Sequence, residues 1–314
     1  ALKDSDKYIY YTNVSVSDEV LVDNQRYKKY IPFNENIVTK DTYTIYHQDG
    51  SKFYTLSEKA EYPIIIKEDN AYYVEFNNEL VYILKEDVEE IKENQNTDLI
   101  PVSSIPVLNY HFIYDPKVTE CNQRICMTTD LFTEHVKYLK SNYFDLTMKE
   151  FELFMNNKIR LPESVLVTLD DGWLSSNAIK ILEENEFHAT YFLITLGYKE
   201  NKSEYVEFHS HTHNMHKVGV CPGGQGGGIK CLSEKVIQDD LKKSREALNN
   251  TTYFCYPFYE TNSYAIEQLK KAGFTLAFVG GNRRAKPSDN HYLIPRYRIT
   301  NSMTVDKLKK TIEK

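Results

Sequence analysis

Five mostly β-favouring residues lead into two carboxylates and a glycine in the run Val165-Leu166-Val167-Thr168-Leu169-Asp170-Asp171-Gly172. A short apolar run that ends at a turn signal predicts a buried parallel strand. In α/β folds the carboxyl ends of such strands carry the functional groups, so both aspartates are candidates for a site. Neighbouring strand residues point to opposite faces, which allows the two carboxylates different roles. Asp-Asp-Gly is also ordinary turn chemistry, so the motif alone leaves a solvated loop open.

Strands and helices alternate after this run and before it. Helical spacing of apolar residues is found at 129–142, 147–156, 176–185, 234–248 and 263–272, and a further strand is predicted at 189–194. Such alternation predicts a parallel sheet or barrel rather than an antiparallel sheet.

The N-terminal third has a different pattern, dense in Tyr, Val and Ile with turn signals between short runs. Strands are predicted at 43–46, 62–66, 72–76 and 80–84, with a hairpin turn at Asn77-Asn78. Residues 85–88 resemble the closing element of bacterial SH3-like modules. The charged and polar segment 89–97 reads as a linker. We therefore predict a small β-rich, SH3-like domain with its linker at 1–95 and an α/β barrel domain at 96–314.

Composition limits the partners and the compartment. The chain has 314 residues, enough for two domains, and its net charge of -7 argues against nucleic acid or an anionic membrane as the main partner. No apolar run reaches the length of a membrane span, and no signal peptide is visible. The first residue is Ala1 rather than Met, which is compatible with export after processing. We expect a monomer.

The five cysteines leave their redox state open. None forms a C-x-x-C motif, which argues against a structural zinc site built from them. Cys121 with Cys126, or Cys221 with Cys231, could close short loops in an oxidising compartment. An odd number prevents complete pairing within one chain.

Four of the nine histidines lie within eight residues, at 209, 211, 213 and 216. Imidazole is the commonest ligand of zinc and similar metals. Two of these histidines with Asp171 would give a three-ligand site with open positions, as hydrolytic metals require. His209 and His213 would share a face of a helix, whereas His211 and His216 need a turn. The local sequence is poor helix material, which favours a loop and the pair His211 and His216.

A glycine-rich run at 222–228 could be taken for a phosphate-binding loop. The lysine that follows, Lys230, lies between Ile229 and Cys231, and no Gly-Lys-Ser/Thr motif or leading strand is present. We interpret the run as a flexible loop beside the site.

Several motifs in order resemble the polysaccharide deacetylases of the NodB-homology type, also called family-four carbohydrate esterases. The run 168–172 is similar to the family's Thr-Phe-Asp-Asp-Gly, and 189–192 is similar to its Ala-Thr-Phe-Phe strand. Ser210-His211-Thr212 with His216 five residues on resembles the branch that deacetylates poly-N-acetylglucosamine. The resemblance spans roughly residues 100–300 and implies a distorted (β/α) barrel with a metal site at the strand carboxyl ends.

The resemblance also implies roles for individual residues. Asp170 matches the catalytic base, and Asp171, His211 and His216 match the metal ligands. The cation, Zn²⁺ first and Ni²⁺, Co²⁺ or Fe²⁺ as alternatives, would polarise the amide carbonyl and acidify its bound water. A backbone N–H near Tyr259 is a further candidate to hold the oxyanion.

Two departures from the family pattern concern the third motif and the acid. Where the family has Arg-x-Pro-x-Gly, this chain has Cys255 and Tyr259 at the arginine and glycine positions. Arg296 and Arg298, of equal parity on a late strand, are both available to orient Asp170 or to contact substrate, with a salt-bridged surface strand as the alternative. We assign substrate binding to the following residues: Tyr256, Pro257, Phe258, Tyr259 and Arg296.

The family's C-terminal Leu-x-His motif, which supplies the acid, is missing after residue 291. His111 ends an apolar strand and resembles the histidine that begins the catalytic domain in the poly-N-acetylglucosamine branch. We expect His111 to be the acid, with a structural histidine as the alternative.

The sequence thus predicts a metal-dependent hydrolase that removes N-acetyl groups from an N-acetylglucosamine polymer, such as a biofilm polysaccharide, peptidoglycan or a chitin-like chain. The resemblance implies a secreted or cell-surface enzyme. A catalytically inactive glycan-binding protein and an O-acetyl esterase are the alternatives.

Overall fold

The computed structural model describes residues 25–95, 98–198 and 202–313. The chain divides into two compact units, Ala1–Asp98 and Leu99–Lys314. Residues 1–24 of the predicted N-terminal domain lie outside the described residues. The elements of the first unit, in chain order, are a 3₁₀ helix (Arg26–Lys29), β1 (Glu35–Thr39), β2 (Tyr43–His47), β3 (Lys52–Leu56), β4 (Glu61–Pro63), β5 (Ile66–Lys67), β6 (Ala71–Phe76), β7 (Glu79–Leu84), a 3₁₀ helix (Lys85–Asp87) and β8 (Val88–Glu93).

The first unit is all-β, as predicted. Two antiparallel sheets, with strand orders β4-β1-β8 and β3-β2-β7-β6-β5, enclose an apolar core that includes Ile37, Ile45 and Val81. The predicted hairpin joins β6 to β7, and Asn77 and Asn78 both have positive φ, which asparagine tolerates well.

The predicted single strand at 62–66 is wrong. The Ile64 N–H donates to the Glu35 carbonyl of one sheet (3.1 Å), whereas the Ile65 N–H donates to the Tyr73 carbonyl of the other (2.9 Å). The chain therefore crosses between sheets at this point, and a continuous apolar run becomes two short strands.

The second unit alternates strands and helices. Its elements are β9 (Val107–Tyr110), β10 (Phe112–Tyr114), β11 (Cys126–Thr128), α1 (Thr129–Asn142), β12 (Phe144–Asp145), α2 (Met148–Met155), β13 (Ser164–Asp171), α3 (Ser175–Glu184), β14 (Ala189–Leu193), β15 (Val206–Ser210), a 3₁₀ helix (Gly228–Lys230), α4 (Glu234–Ala247), β16 (Tyr253–Cys255), a 3₁₀ helix (Pro257–Tyr259), α5 (Ser263–Lys271), β17 (Leu276–Gly280), β18 (Ile294–Arg298) and α6 (Val305–Ile312).

Seven parallel strands of the described chain close into a barrel. Their order is β13-β14-β15-β16-β17-β18-β9, and β9 pairs back to β13. The two-residue β12 pairs with the start of β13, below the point where β9 takes over. The predicted (β/α) barrel is confirmed.

Alternation along β13 decides which side chains enter the barrel. Val165, Val167 and Leu169 pack in the core cluster shared with residues of α1 and α3. The residues between them therefore face inward, which brings Thr168 and Asp170 into the barrel interior at its carboxyl end.

Two disulfides settle the pairings that the sequence left open. Cys121 is bonded to Cys126 and Cys221 to Cys231, while Cys255 is a buried free thiol. Within the described residues, no helix has both the length and the apolarity needed to cross a membrane.

Candidate active site

A pocket of about 370 Å³ opens at the carboxyl end of the barrel strands. It brings together both aspartates of β13, the lone histidine after β9 and two histidines that follow β15. Its lining consists of His111, Ile125, Asp170, Asp171, His211, His216, Gln225, Tyr256, Phe258, Tyr259 and Arg298. Of the predicted site residues, Pro257 and Arg296 do not line it.

Asp171, His211 and His216 form a cluster with the donor set of a metal centre. Asp171 Oδ1 lies 3.4 Å from His211 Nε2 and 3.3 Å from His216 Nε2. One donor atom from each of the three residues lies within 4.8 Å of the other two. Two imidazole nitrogens and one carboxylate oxygen, with one side open to a pocket, suit zinc and related divalent cations.

The orientation of His211 adds to this fit. Its Nδ1–H donates to the Cys255 carbonyl at 2.8 Å, so Nε2 is the nitrogen that faces Asp171. Such an outer hydrogen bond fixes the tautomer of ligating histidines. Burial acts to raise the pKa of Asp171, but the neighbouring histidines lower it below the ordinary value, so this donor is ionised.

A buried carboxylate on α4 shapes the loop that carries His216. Asp240 accepts the backbone N–H groups of His213 and Asn214, each at 2.7 Å. Thr212 has a φ of 75°, a left-handed conformation that turns the chain immediately after His211. The turn and its carboxylate anchor bring His216 back over Asp171.

The other two histidines of the cluster point elsewhere. His209 Nδ1 lies 2.7 Å from Thr251 Oγ1, and its ring packs edge-on against Tyr253. His213 Nδ1 lies 3.0 Å from Thr195 Oγ1. The geometry thus groups His211 with His216, the pair that the sequence analysis favoured.

Asp170 is held by an arginine from β18. Arg296 Nη1 and Nη2 donate to its two carboxylate oxygens, each at 2.8 Å, and Nη1 also donates to Thr168 Oγ1 at 3.0 Å. Burial acts to raise the pKa of Asp170, but the charge and hydrogen bonds of Arg296 outweigh it and hold the pKa well below its usual range. Arg296 has no exposed surface, so it contacts Asp170 from the barrel interior and not from the pocket. Arg298 is the arginine that lines the pocket.

Cys255 lies against this ion pair. Its Sγ accepts from Arg296 Nη2 at 2.7 Å and lies 3.5 Å from Asp170 Oδ2, to which the thiol donates. Burial raises the pKa of Cys255, which keeps the thiol protonated. The rings of Tyr259 and Phe192 lie over the guanidinium, with centroids 5.3 and 5.8 Å from Cζ. The residue that departs from the family motif is thus part of the enclosure around the arginine.

His111 faces the pocket with a buried Nδ1 that has no hydrogen-bond partner among the described residues. Burial lowers its pKa below the ordinary value, which favours a neutral imidazole. An imidazole with an unpaired nitrogen beside a pocket is suited to proton transfer.

Two lining residues, Ile125 and Gln225, escaped the sequence analysis. Ile125 precedes Cys126 in the loop closed by the first disulfide, and Gln225 lies in the middle of the glycine-rich run. The only sequence signal for Gln225 is a polar side chain flanked by glycines beside the site.

Comparison with known proteins gives one family and a set of structural relatives. Residues 158–277 match the family model described as polysaccharide deacetylase. The Streptococcus pyogenes deacetylase PplD in complex with acetate is 23% identical, with 68% of this chain and 100% of that chain covered and a TM-score of 0.57. IcaB from Ammonifex degensii is 21% identical, with 67% and 97% covered and a TM-score of 0.56.

A third solved structure covers more of the chain. BC0361, a polysaccharide deacetylase from Bacillus cereus, is 17% identical, with 88% of this chain and 90% of that chain covered and a TM-score of 0.53. At these identities the likeness concerns the fold. No curated protein sequence matches the chain.

Proposed function

We propose that the protein is a metal-dependent hydrolase that removes N-acetyl groups from an N-acetylglucosamine polysaccharide, because residues 158–277 match the polysaccharide deacetylase family model. The observation that carries the proposal is the convergence of Asp171, His211 and His216 beside an ionised Asp170 in one pocket. A binding protein would not need a buried carboxylate held ionised at the base of its pocket.

In this proposal Asp171, His211 and His216 hold a divalent cation, Zn²⁺ first and Ni²⁺, Co²⁺ or Fe²⁺ as alternatives. When bound, the cation supplies Lewis-acid polarisation of a carbonyl and a lowered pKa for water. Asp170, oriented by Arg296, accepts the proton of the attacking water. His111, which must first take up a proton because burial favours its neutral form, would then donate that proton to the departing amine.

The pocket walls support a sugar substrate. Tyr256, Phe258 and Tyr259 supply aromatic surface that packs against a pyranose ring and excludes water from the amide. The substrate class we propose is a biofilm polysaccharide, peptidoglycan or a chitin-like polymer. Two disulfides favour an oxidising compartment, in keeping with a secreted or cell-surface enzyme.

We also propose that an SH3-like domain ends at residue 95 and that the deacetylase domain spans 96–314. The all-β architecture of the first unit supports the former.

The experiment measures acetate release from a chitooligosaccharide by the wild type and by Asp170→Asn, each with and without a chelator. We expect activity in the wild type alone, lost on chelation and restored by added Zn²⁺. Activity that survives both chelation and Asp170→Asn would refute the metal-hydrolase proposal. A parallel O-acetylated substrate tests the esterase alternative, since an esterase would release acetate only from that substrate.

A further inference from the structure

The glycine-rich run is an ordered wall of the pocket. We define the glycine loop as residues 221–231, which the Cys221–Cys231 disulfide closes. Gln225, which belongs to this loop, lines the pocket together with the residues of the proposed metal centre. The sequence analysis interpreted the glycines as a flexible loop, but it did not predict that they surround a carboxylate.

The glycine loop surrounds the carboxylate of Glu260. This side chain accepts the backbone N–H groups of Gln225, Gly226 and Gly227, the last at 2.9 Å, and pairs with the Lys230 ammonium at 2.7 Å. Successive N–H groups around an anion form a nest, the arrangement that phosphate-binding loops also use. Here the chain's own carboxylate fills the nest, so the loop is not free to bind phosphate.

The glycines are needed for this close approach. A Cβ added at Gly224 would overlap the Glu260 carboxylate, and Gly224 itself has a φ of 61°. The Lys230 ammonium also donates to the Gly223 carbonyl at 2.9 Å. The backbone on both sides of Gln225 is thus anchored, which reduces the entropy lost when its side chain binds a ligand.

The position of the loop defines which part of a substrate Gln225 can reach. The ring of Phe258 lies between the loop and the metal centre, 4.3 Å from the His216 ring and 3.5 Å from where a Cβ on Gly227 would be. An aromatic ring thus lies between the glycine loop and His216, and the exposed Gln225 lies on the loop's side of that ring. That offset suits contact with a sugar unit next to the one that loses its acetyl group.

We propose that Gln225 is a specificity-determining residue that hydrogen-bonds the neighbouring sugar unit of the polymer, and that Glu260 and the Cys221–Cys231 disulfide position it. A carboxamide both donates and accepts, which matches sugar hydroxyl and acetamido groups. This inference rests on the proposed deacetylase function, because it assigns a subsite of the same pocket.

The test compares Gln225→Ala with the wild type on a monomeric N-acetylglucosamine glycoside and on chitopentaose. Loss of one substrate hydrogen bond is expected to raise KM for chitopentaose about 3- to 10-fold with kcat unchanged, and to leave the monomer unaffected. Gln123→Ala is the matched control, since Gln123 is exposed in the other disulfide-closed loop and does not line the pocket. Equal effects of Gln225→Ala on both substrates, or no effect on either, would overturn the proposal.

The positioning role has its own test. Glu260→Gln and the double variant Cys221→Ser/Cys231→Ser are expected to raise KM for chitopentaose, as Gln225→Ala does, and to leave kcat on the monomer unchanged. If both variants retain the wild-type KM for chitopentaose, Glu260 and the disulfide do not position Gln225.

A binding measurement separates failure of this inference from failure of the proposed function. If the wild type releases no acetate from any substrate, titration calorimetry with chitopentaose still compares the Kd of the wild type and Gln225→Ala. A Kd that is about 3- to 10-fold higher for the variant supports the subsite independently of catalysis, because the same single hydrogen bond is lost as in the KM measurement. Equal Kd values overturn it.

Discussion

Replacement of Arg296 by methionine is the most direct test of how the barrel orients Asp170, the proposed base. The variant removes a guanidinium that makes two hydrogen bonds to Asp170, one to Thr168 and one to Cys255, all without exposure to solvent. Removing one partner of a buried ion pair leaves an uncompensated charge and costs about 3 to 5 kcal/mol. For a unit of this size, that lowers Tm by roughly 6 to 20 °C.

The chain contains its own probe for this measurement. Trp173 is its one tryptophan, lies two residues after Asp171, and packs edge-on against Phe112 with centroids 4.9 Å apart. Thermal unfolding followed by tryptophan fluorescence therefore reports on the barrel unit. Arg283→Met is the control, because its ion pair with Asp289 lies at the surface and is worth about 1 kcal/mol or less.

The double variant Asp170→Asn/Arg296→Met decides between a charge effect and a packing effect. Without the carboxylate no charge is left unpaired, so we expect the double variant to be about 1 to 3 kcal/mol more stable than Arg296→Met alone. A double variant no more stable than Arg296→Met would refute the reasoning that the buried charge of Asp170 dominates.

Three further predictions concern the metal, the pH dependence of stability and the pocket rim. Co²⁺ added after chelation should quench Trp173 fluorescence, and His216→Ala should need at least about 10-fold more Co²⁺ for the same quenching. Equal quenching of both proteins at the same Co²⁺ concentration would contradict the proposed ligand set. His135 is buried between the Tyr110 hydroxyl and a backbone carbonyl, and burial lowers its pKa from 6.5 to about 4. As the pH falls below about 6.5, this histidine takes up a proton in the unfolded chain but not in the folded chain, which lowers the free energy of unfolding. Between pH 7 and pH 5, the free energy of unfolding measured in urea should therefore fall by about 2 kcal/mol more in the wild type than in His135→Gln. Arg298→Gln should raise KM about 2- to 5-fold for a carboxylate-bearing glycan and leave neutral chitooligosaccharides unchanged in acetate-release assays; equal changes would exclude charge recognition.

The sequence predicted those features that depend on short-range periodicity. Alternation along 165–171 predicted that Asp170 and Asp171 point to opposite faces of the strand, and the poor helix propensity around His211 favoured its grouping with His216. Both inferences need only the geometry of one strand and one loop. The five predicted helices of the second unit, α1 to α5, begin and end within two residues of the predicted bounds for the same reason, whereas α6 was not predicted.

Contacts between distant segments were beyond sequence reasoning. Arg296 lies 126 residues from Asp170, and parity along β18 made it equivalent to Arg298. The closing of the barrel distinguishes them, because Arg296 is enclosed by neighbouring strands whereas Arg298, at the end of β18, reaches the rim. The glycine loop posed the same problem, since the Glu260 carboxylate that orders it lies 33 residues after Gly227.

Cys255 and Arg296 both contact the buried Asp170 carboxylate, and Arg296 keeps it ionised. Burial favours the neutral form of a carboxyl group, and a cation beside it favours the ionised form. The motif that this stretch resembles has an arginine at position 255, but the small thiol here leaves room for a guanidinium 2.7 Å away on β18. The Cys255 carbonyl meanwhile holds His211. One residue of β16 therefore contacts both Asp170, the proposed base, and a proposed metal ligand, so a cysteine in place of the motif's arginine does not argue against the proposed catalysis.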